Sequence, residues 1–176
     1  MKILIIIGSA ARNSHSLHLG QAISESLKNK NVETTLVDLI ELGLPPFQRA
    51  IDLSKQYDQK TADFLKLGKE AHAHVWVTPV YHNSYSSTMK NALDWLHFFM
   101  DGKVVGLASN GGNRAPVAID QLMIVARSQH LIISPSRVCT QENDYDENLN
   151  IISPEINKRI ESFTDELIML TKKISS

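Results

Sequence analysis

The sequence predicts an α/β fold of three layers, in which helices cover both faces of a doubly wound, five-stranded parallel sheet. Short β-branched runs alternate along the chain with segments of helical periodicity. The first run, residues 2–7, is continuously apolar, as expected of a central strand covered on both faces. The second and fifth strands are the least hydrophobic, which favours the strand order 2-1-3-4-5 because it places both at the edges.

The first half of the chain is predicted to contain three strands and two helices. In chain order they are strand 2–7, a helix with its buried stripe at Leu19, Ile23 and Leu27, strand 32–37, a helix around 58–72 and strand 73–78. The Gly and Pro residues within 42–47 predict a loop. Pro79 is expected to end the third strand, because proline lacks the amide that a ladder needs.

The second half repeats the alternation. In chain order we expect helix 85–100, strand 104–108, helix 115–129, a strand that begins at 131–133 and a C-terminal helix. Pro135 follows the start of the fifth strand, and proline is tolerated only at a sheet edge or a strand end. The acidic and polar stretch 141–150 is interpreted as a surface excursion. Ser153 and Pro154 mark the start of the last helix, as a cap and a first-turn proline.

Length, charge and cysteine content restrict the class of protein. The 176 residues favour one domain, residues 1–176, with one hydrophobic core. Because 18 Lys and Arg stand against 19 Asp and Glu, the net charge is −1, and we expect neither nucleic acid nor a membrane as partner. The single cysteine, Cys139, fits a reducing compartment. We therefore expect a cytoplasmic protein.

Three predicted loops converge where a ligand is expected to bind. In an open parallel sheet, ligands bind beyond the carboxyl ends of the strands, where the strand order reverses. For the order 2-1-3-4-5 that point lies between the first and third strands. The loops that meet there are 8–16, 79–84 and 109–114.

The first loop has the chemistry of a phosphate site. It leads into a helix, whose unpaired amides and dipole favour an anion. Ser9, Ser14 and Ser16 add hydroxyl donors, and Arg12 adds a guanidinium. The alternative is an ordinary helix N-terminus, in which a serine caps the helix and Arg12 is solvated.

The second and third loops are suited to a flat ring. Beyond Pro79 the exposed backbone offers hydrogen-bonding groups, and Tyr81 offers an aromatic edge or a hydroxyl. His82 is interpreted either as an acid–base group or as an ordinary surface residue. The pair Gly111 and Gly112 lets the backbone approach a ligand closely. Plain turns with Tyr81 packed on its neighbours are the alternative.

Other kinds of site have weaker support. His15 with His18, and His72 with His74, have ligand-like spacing, but no third ligand accompanies either pair, so we expect no metal. Cys139 is interpreted as a small packed residue rather than a nucleophile. No residue is assigned a covalent catalytic role.

Two helices carry broad apolar surfaces. Helix 85–100 has apolar residues on two adjacent stripes, and helix 115–129 is similarly apolar. We expect the two helices to form a subunit interface, in a homodimer or a dimer of dimers. The alternative is a deep core beneath the 141–150 excursion.

The chain resembles the NADPH-dependent FMN reductase family, within the flavodoxin-like fold. Residues 78–84 followed by 89–96 resemble the family signature P-x-Y-x-x-S…K-N-x-[LI]-D-W-L. Residues 8–16 resemble its phosphate loop, and 102–112 resemble its fourth strand and third loop. The similarity extends over about 2–135. Two positions depart from the family: its arginine stands three residues after the glycine whereas Arg12 stands four after Gly8, and many members have Asn where this chain has His82.

The resemblance implies an FMN site and a redox activity. Its members pass hydride from NADPH or NADH to the flavin and electrons on to a small acceptor such as a flavin, a quinone, an azo compound or a metal oxyanion. The implied FMN-binding residues are Ser9, Arg12, Ser14, Ser16 and Leu17 at the phosphate, Pro79, Val80, Tyr81, His82 and Asn83 beside the isoalloxazine, and Ser109, Asn110, Gly111 and Gly112 on its other side.

Two other functions stay open. A non-catalytic electron carrier, a flavodoxin proper, is disfavoured because such carriers have strongly acidic surfaces and a T/S-x-T-G-x-T-like phosphate loop. A nucleotide-binding regulatory module is the third possibility. The sequence does not distinguish NADPH from NADH, although Arg49 and Arg114 are candidates to meet a 2′-phosphate, and it does not name the acceptor.

Overall fold

The computed structural model describes residues 1–48, 58–114 and 116–174. Five strands form one parallel sheet in the order β2-β1-β3-β4-β5. The strands are β1 Lys2–Ile7, β2 Glu33–Asp38, β3 Ala73–Pro79, β4 Val104–Asn110 and β5 Ile132–Thr140. The predicted fold class and strand order are both confirmed.

Helices cover both faces of the sheet. They are α1 His15–Asn29, α2 Leu39–Leu42, α3 Gln59–Glu70, α4 Ser87–Leu96, α5 Val117–Ser128 and α6 Pro154–Ile174. On one face, Leu19 of α1 and Phe163 of α6 are fully buried with the odd-numbered residues of β1. On the other face, α3, α4 and α5 pack over Leu4, Ile6 and Trp76. None of the described helices is both long and apolar enough to cross a lipid bilayer.

The short helix α2 was not expected from the sequence. The Asp38 side chain accepts a hydrogen bond from the Ile40 amide at 3.3 Å, and Gly43 closes the helix with a φ of 65°. Both residues are standard signals for helix ends. A four-residue helix shows no apolar period, which is why the pattern of the sequence missed it.

Strand β5 continues past Pro135 to Thr140, and it is an edge strand, which is one of the two places where this proline was expected. Val105 pairs with Ile133 and Leu107 pairs with Arg137, so three residues of β5 stand opposite Gly106 alone. This bulge lies on an edge strand, where a proline costs no ladder hydrogen bond. The Ser136 amide donates to the Glu166 carboxylate of α6 at 2.9 Å instead.

The 141–150 segment is only partly a surface excursion. The side chains of Asp144 and Tyr145 are 2% and 7% exposed. Their burial contradicts the expectation for these two residues, since polar composition alone does not reveal that a carboxylate has a buried cationic partner. The neighbouring residues 147, 148 and 150 are exposed, as expected.

Most of the apolar surface of α4 is covered within the chain. Met89, Leu93 and Leu96 are fully buried against the sheet and its neighbours. The segment after α2 covers the rest: the Trp95 indole donates to the Pro45 carbonyl at 2.9 Å and meets the Phe47 ring edge-to-face. This cover comes from the 43–48 segment, not from the 141–150 segment that the sequence suggested as the alternative. Phe98 and Ile124 stay 65% and 68% exposed.

Candidate functional site

The three predicted loops lie side by side at the carboxyl ends of β1, β3 and β4. The Gly8 amide donates to the Val77 carbonyl at 2.8 Å, which continues the β1–β3 ladder by one residue. The Val80 amide donates to the Asn110 carbonyl at 2.8 Å, which joins the second and third loops. The hydroxyls of Ser86 and Thr88 both donate to the Gly8 carbonyl, so the start of α4 holds the first loop from below.

The first loop places an open helix N-terminus at this edge of the sheet. Ser14 caps α1, and its hydroxyl accepts from the Leu17 amide at 3.2 Å. Among the described residues, the amides of His15 and Ser16 have no protein acceptor. The cap predicted as the alternative is therefore present, and two amides of the first turn remain available to an anion.

The side chains of the first loop differ in their surroundings. Ser9 and Ser16 are buried, and the Ser9 hydroxyl accepts from the Ala11 amide at 3.1 Å. Arg12 is 78% exposed, and its Nε lies 3.1 Å from Oε1 of Glu41 on α2. Arg12 is thus at the rim of the site, with its charge partly balanced by a carboxylate that is itself exposed.

The second loop forms a tight turn with its side chains outward. Tyr81 and Ser84 exchange two main-chain hydrogen bonds, at 2.8 and 2.9 Å. The two residues between them, His82 and Asn83, have φ values of 49° and 62°, the left-handed geometry of a two-residue hairpin turn. Tyr81 is 40% exposed, so it is not packed away as the alternative interpretation had it.

Gln121 of α5 fixes this turn from outside. Its amide nitrogen donates to the Asn83 carbonyl at 2.7 Å, and its amide oxygen accepts from the Ser84 hydroxyl at 2.6 Å. A two-point contact of this kind restricts both the position and the tilt of the turn. The sequence offered no signal for Gln121, because a glutamine on a helix is ordinarily solvated.

The third loop packs closely against the second, with the Gly111 backbone next to the Val80 side chain. A Cβ at Gly111 would lie 2.6 Å from Cβ of Val80, so only glycine fits there. The Gly111 amide donates to the Thr140 carbonyl at 2.9 Å, which ties the loop to the end of β5. A Cβ at Gly112 would meet nothing within 4 Å, and this position opens onto free space.

Ser109 carries an unpaired buried hydroxyl. The residue is 1% exposed, and its Oγ has no hydrogen-bond partner in the part of the chain that the structure describes. Buried hydroxyls are normally paired, so one without a partner beside a ligand crevice indicates a group that a ligand or a water completes.

Tyr145 joins the two sides of the site, although no pattern in the sequence indicated it. Its hydroxyl lies 2.8 Å from the Thr140 hydroxyl and 3.3 Å from the His15 carbonyl oxygen, and its ring meets the His15 ring edge-to-face. The Asn110 amide donates to the Thr140 hydroxyl at 3.0 Å, which extends the network to the third loop. Burial raises the pKa of Tyr145 to about 12, so the hydroxyl keeps its proton at neutral pH.

Arg114 is held by carboxylates rather than left free for a ligand. Its Nε and Nη2 donate to the buried carboxylate of Asp144, and its Nη1 donates to Glu155 at 2.8 Å. Burial opposes the charge of Asp144, but the hydrogen bonds from Arg114 and from the Gln141 amide lower the pKa of this carboxyl below its ordinary value. The other cation named for a 2′-phosphate, Arg49, lies outside the described residues.

The remaining candidates lie apart from the three loops. His74 is fully buried near the amino end of β3, the opposite end of the strand from the loops. Within the described ranges, no three His, Cys, Asp or Glu side chains are grouped so that they could hold a metal ion. Cys139 is half-buried on β5 and has a free thiol.

Comparison with known proteins identifies the family of the chain. The model of the NADPH-dependent FMN reductase family matches residues 1–144. An FMN-dependent NADPH-azoreductase of Staphylococcus aureus is 33% identical over 185 aligned positions, which cover 96% of this chain and 94% of that protein.

Solved structures show the same fold at lower identity. FerB, a flavoenzyme NAD(P)H:(acceptor) oxidoreductase from Paracoccus denitrificans, superposes with a TM-score of 0.81 at 18% identity, covering 98% of this chain and 97% of that one. An oxidoreductase from Corynebacterium diphtheriae gives a TM-score of 0.80 at 20% identity, with the same coverage of 98% and 97%.

Proposed function

The chain belongs to the NADPH-dependent FMN reductase family, and we propose that it uses NAD(P)H to reduce a small electron acceptor through FMN held by the three loops. It is accordingly an oxidoreductase with FMN as cofactor and NAD(P)H as co-substrate. When bound, FMN supplies the redox chemistry, taking hydride from the nicotinamide and giving electrons to the acceptor.

The start of α1 fits the phosphate of FMN. The open amides of His15 and Ser16 point to an anion there, and they are the observation that best supports the proposal. The phosphate-binding residues proposed are Ser9, Arg12, Ser14, Ser16 and Leu17. Leu17 contributes through packing, because its amide is already bonded to Ser14.

The second and third loops fit the flat ring. The close approach of Gly111 to Val80 leaves a narrow wall of backbone, and the exposed Tyr81 offers an aromatic surface beside it. The buried hydroxyl of Ser109 needs a partner that a ring heteroatom or its water can supply. The proposed ring-binding residues are Pro79, Val80, Tyr81, His82, Asn83, Ser109, Asn110, Gly111 and Gly112.

The protein contributes placement rather than a covalent step. The turn at His82 is held by Gln121, and the first loop is held by Ser86 and Thr88, so both loops are positioned by contacts within the protein. No side chain of the site is proposed as a nucleophile. His82 is exposed and free to meet an acceptor, without an assigned role in proton transfer.

The acceptor is proposed to be a small molecule. The azoreductase of Staphylococcus aureus makes an azo compound the first acceptor to test. Quinones, free flavins and metal oxyanions use the same exposed ring face and belong in the same panel. Steady-state rates with each of the four, at fixed NADPH, identify the preferred class.

One experiment separates the three candidate functions. Purified protein is mixed with FMN and NADPH without oxygen, and flavin absorbance is followed. Rapid bleaching supports the reductase, binding without bleaching supports an electron carrier, and the absence of FMN binding supports a regulatory module.

We further propose that residues 1–176 form one FMN-binding domain that acts in the cytoplasm as a homodimer or a dimer of dimers. Two large apolar side chains at the expected interface are exposed and support self-association: Phe98 lies just after α4, and Ile124 lies on α5. Sedimentation that shows only a 19.7 kDa species at micromolar concentration contradicts the oligomer.

A further inference from the structure

A basic groove runs along the edge of the sheet beside the third loop. It consists of two adjoining cavities, of about 270 and 550 Å³, between β5 and the starts of α5 and α6. Arg137, Glu155 and Arg159 line both cavities. The larger volume lies within the range of small-ligand sites, roughly 300–1,000 Å³, and the smaller lies just below it.

The groove begins at the proposed FMN site. Arg114 lines the smaller cavity and stands three residues after Gly111, whose amide is bonded to Thr140. Cys139, the residue before Thr140, lines the same cavity. The smaller cavity thus lies next to the chain segments that carry the third loop.

The arginines of the groove have more N–H donors than the neighbouring carboxylates accept. One guanidinium nitrogen of Arg137 lies 3.3 Å from the Asp120 carboxylate, and one of Arg159 lies 3.3 Å from the Glu155 carboxylate. Both guanidinium side chains are about half exposed, so most of their N–H groups face solvent.

The other two cations of the groove, Lys158 and Arg114, differ in whether a carboxylate neutralises them. Lys158 lines the larger cavity, and no ion pair joins it to a carboxylate within the described part of the chain. Arg114 is already neutralised by Asp144. The positive charge that carboxylates do not balance therefore lies on Lys158 and on the solvent-facing N–H groups of Arg137 and Arg159.

We propose that this groove binds the adenosine 2′-phosphate end of NADPH, with Arg137 and Arg159 as the residues that select NADPH over NADH. A phosphate monoester is a dianion with several acceptor oxygens, and guanidinium forks match its geometry. Pro116 and Pro135 give the walls an apolar part against which a nucleoside packs. The inference rests on the proposed function, because it concerns the co-substrate of the same reaction.

The test is the ratio of the KM for NADPH to the KM for NADH. We expect the wild-type protein to favour NADPH, and Arg137→Gln and Arg159→Gln each to raise the ratio by about tenfold, the effect of one lost charge-assisted contact. Asp120→Asn is the matched variant, since it breaks the same ion pair but keeps the guanidinium, and it should not raise the ratio. Arg127→Gln removes an exposed cation that lines neither of these two cavities and should leave the ratio unchanged.

Two outcomes overturn the inference. One is a wild-type protein that does not distinguish the two nucleotides; the other is a ratio that Arg127→Gln changes as much as Arg137→Gln does, which indicates general electrostatics. Thermal melting of each variant shows that it is folded.

A binding titration tests the groove without turnover. Adenosine 2′,5′-bisphosphate should bind the FMN-treated wild-type protein at least tenfold more tightly than adenosine 5′-monophosphate, and Arg137→Gln should reduce this preference about tenfold. Equal affinity of the wild-type protein for both nucleotides contradicts the proposal that the groove binds the 2′-phosphate. If NADPH fails to reduce FMN but this titration discriminates, the proposed function fails and the groove stands.

Discussion

The Tyr145 hydroxyl lies 3.3 Å from the main-chain carbonyl oxygen of His15 and donates a hydrogen bond to it. This contact joins the segment after β5 to the first turn of α1, 130 residues away in the chain. The same hydroxyl lies 2.8 Å from the Thr140 hydroxyl, to which the side-chain amide of Asn110 donates. One buried phenol therefore connects the phosphate side of the proposed site to its ring side.

Tyr145→Phe should weaken both stability and FMN affinity. The change keeps the ring packed on His15 and removes only the hydroxyl, so we expect a loss of about 1 kcal/mol in the free energy of unfolding. Because the first turn of α1 loses a constraint, FMN affinity should fall as well. Urea unfolding and fluorescence titration with FMN measure the two effects. Tyr85→Phe is the control because the Tyr85 hydroxyl makes no hydrogen bond to the described residues. An unchanged FMN affinity rules out the positioning role.

The site loops could be located from the sequence because they depend on strand order. The continuous apolar run of β1 and the weaker β2 and β5 were enough to predict the order of strands, and the order alone determines which loops meet. The caps of the helices were also readable: Ser14 and Ser153 stand where a helix begins. These features depend on short-range sequence patterns.

Tyr145, Gln121 and the path of β5 could not be predicted because they depend on distant partners. Tyr145 is buried only because His15 and Thr140 lie opposite it, and no local pattern encodes that. Pro135 lies in a bulge of the edge strand, and the neighbouring Ser136 amide donates to Glu166, a partner 30 residues away. Polar composition in 141–150 indicated exposure, and the buried ion pair of Asp144 with Arg114 reversed it.

Gly111→Ala should destabilise the protein, whereas Gly112→Ala should not. A Cβ at Gly111 would overlap Val80, so the second and third loops must separate, at a cost of about 1–3 kcal/mol. The Cβ of an alanine at 112 enters open space. Thermal unfolding of the two variants side by side measures the difference. Equal melting temperatures would mean that the loops do not contact each other as described.

Arg12→Ala tests the phosphate assignment separately from stability. The ion pair with Glu41 is exposed on both sides, so its loss should hardly change unfolding. If Arg12 turns to the phosphate, FMN affinity falls by about 1.5–3 kcal/mol, the value of a charge-assisted hydrogen bond. Glu41→Gln is the matched control, because it breaks the same pair and leaves the guanidinium free to bind. Titration that gives the same affinity for Arg12→Ala as for the unmodified chain removes Arg12 from the site.

His74→Leu should make the protein less sensitive to acid. The imidazole is fully buried between Leu4 and Val105 on the neighbouring strands, and neither ring nitrogen has a hydrogen-bond partner among the described residues. Burial, helped by the positive charge of Lys103, lowers the pKa of His74 from 6.5 to about 3.

The direction of the pH effect follows from that shift. Below pH 6.5 the unfolded chain binds a proton at His74 that the folded chain refuses until about pH 3, so stability falls through this window as the pH is lowered. The slope from one such group is about 1.4 kcal/mol per pH unit. His74→Leu removes this slope and fills the site with an apolar side chain, so it should be at least as stable as the unmodified chain at pH 7 and clearly more stable at pH 5. Urea midpoints at the two pH values measure the difference in stability between His74→Leu and the unmodified chain. A difference that is the same at both pH values would show that His74 is protonated in the folded protein.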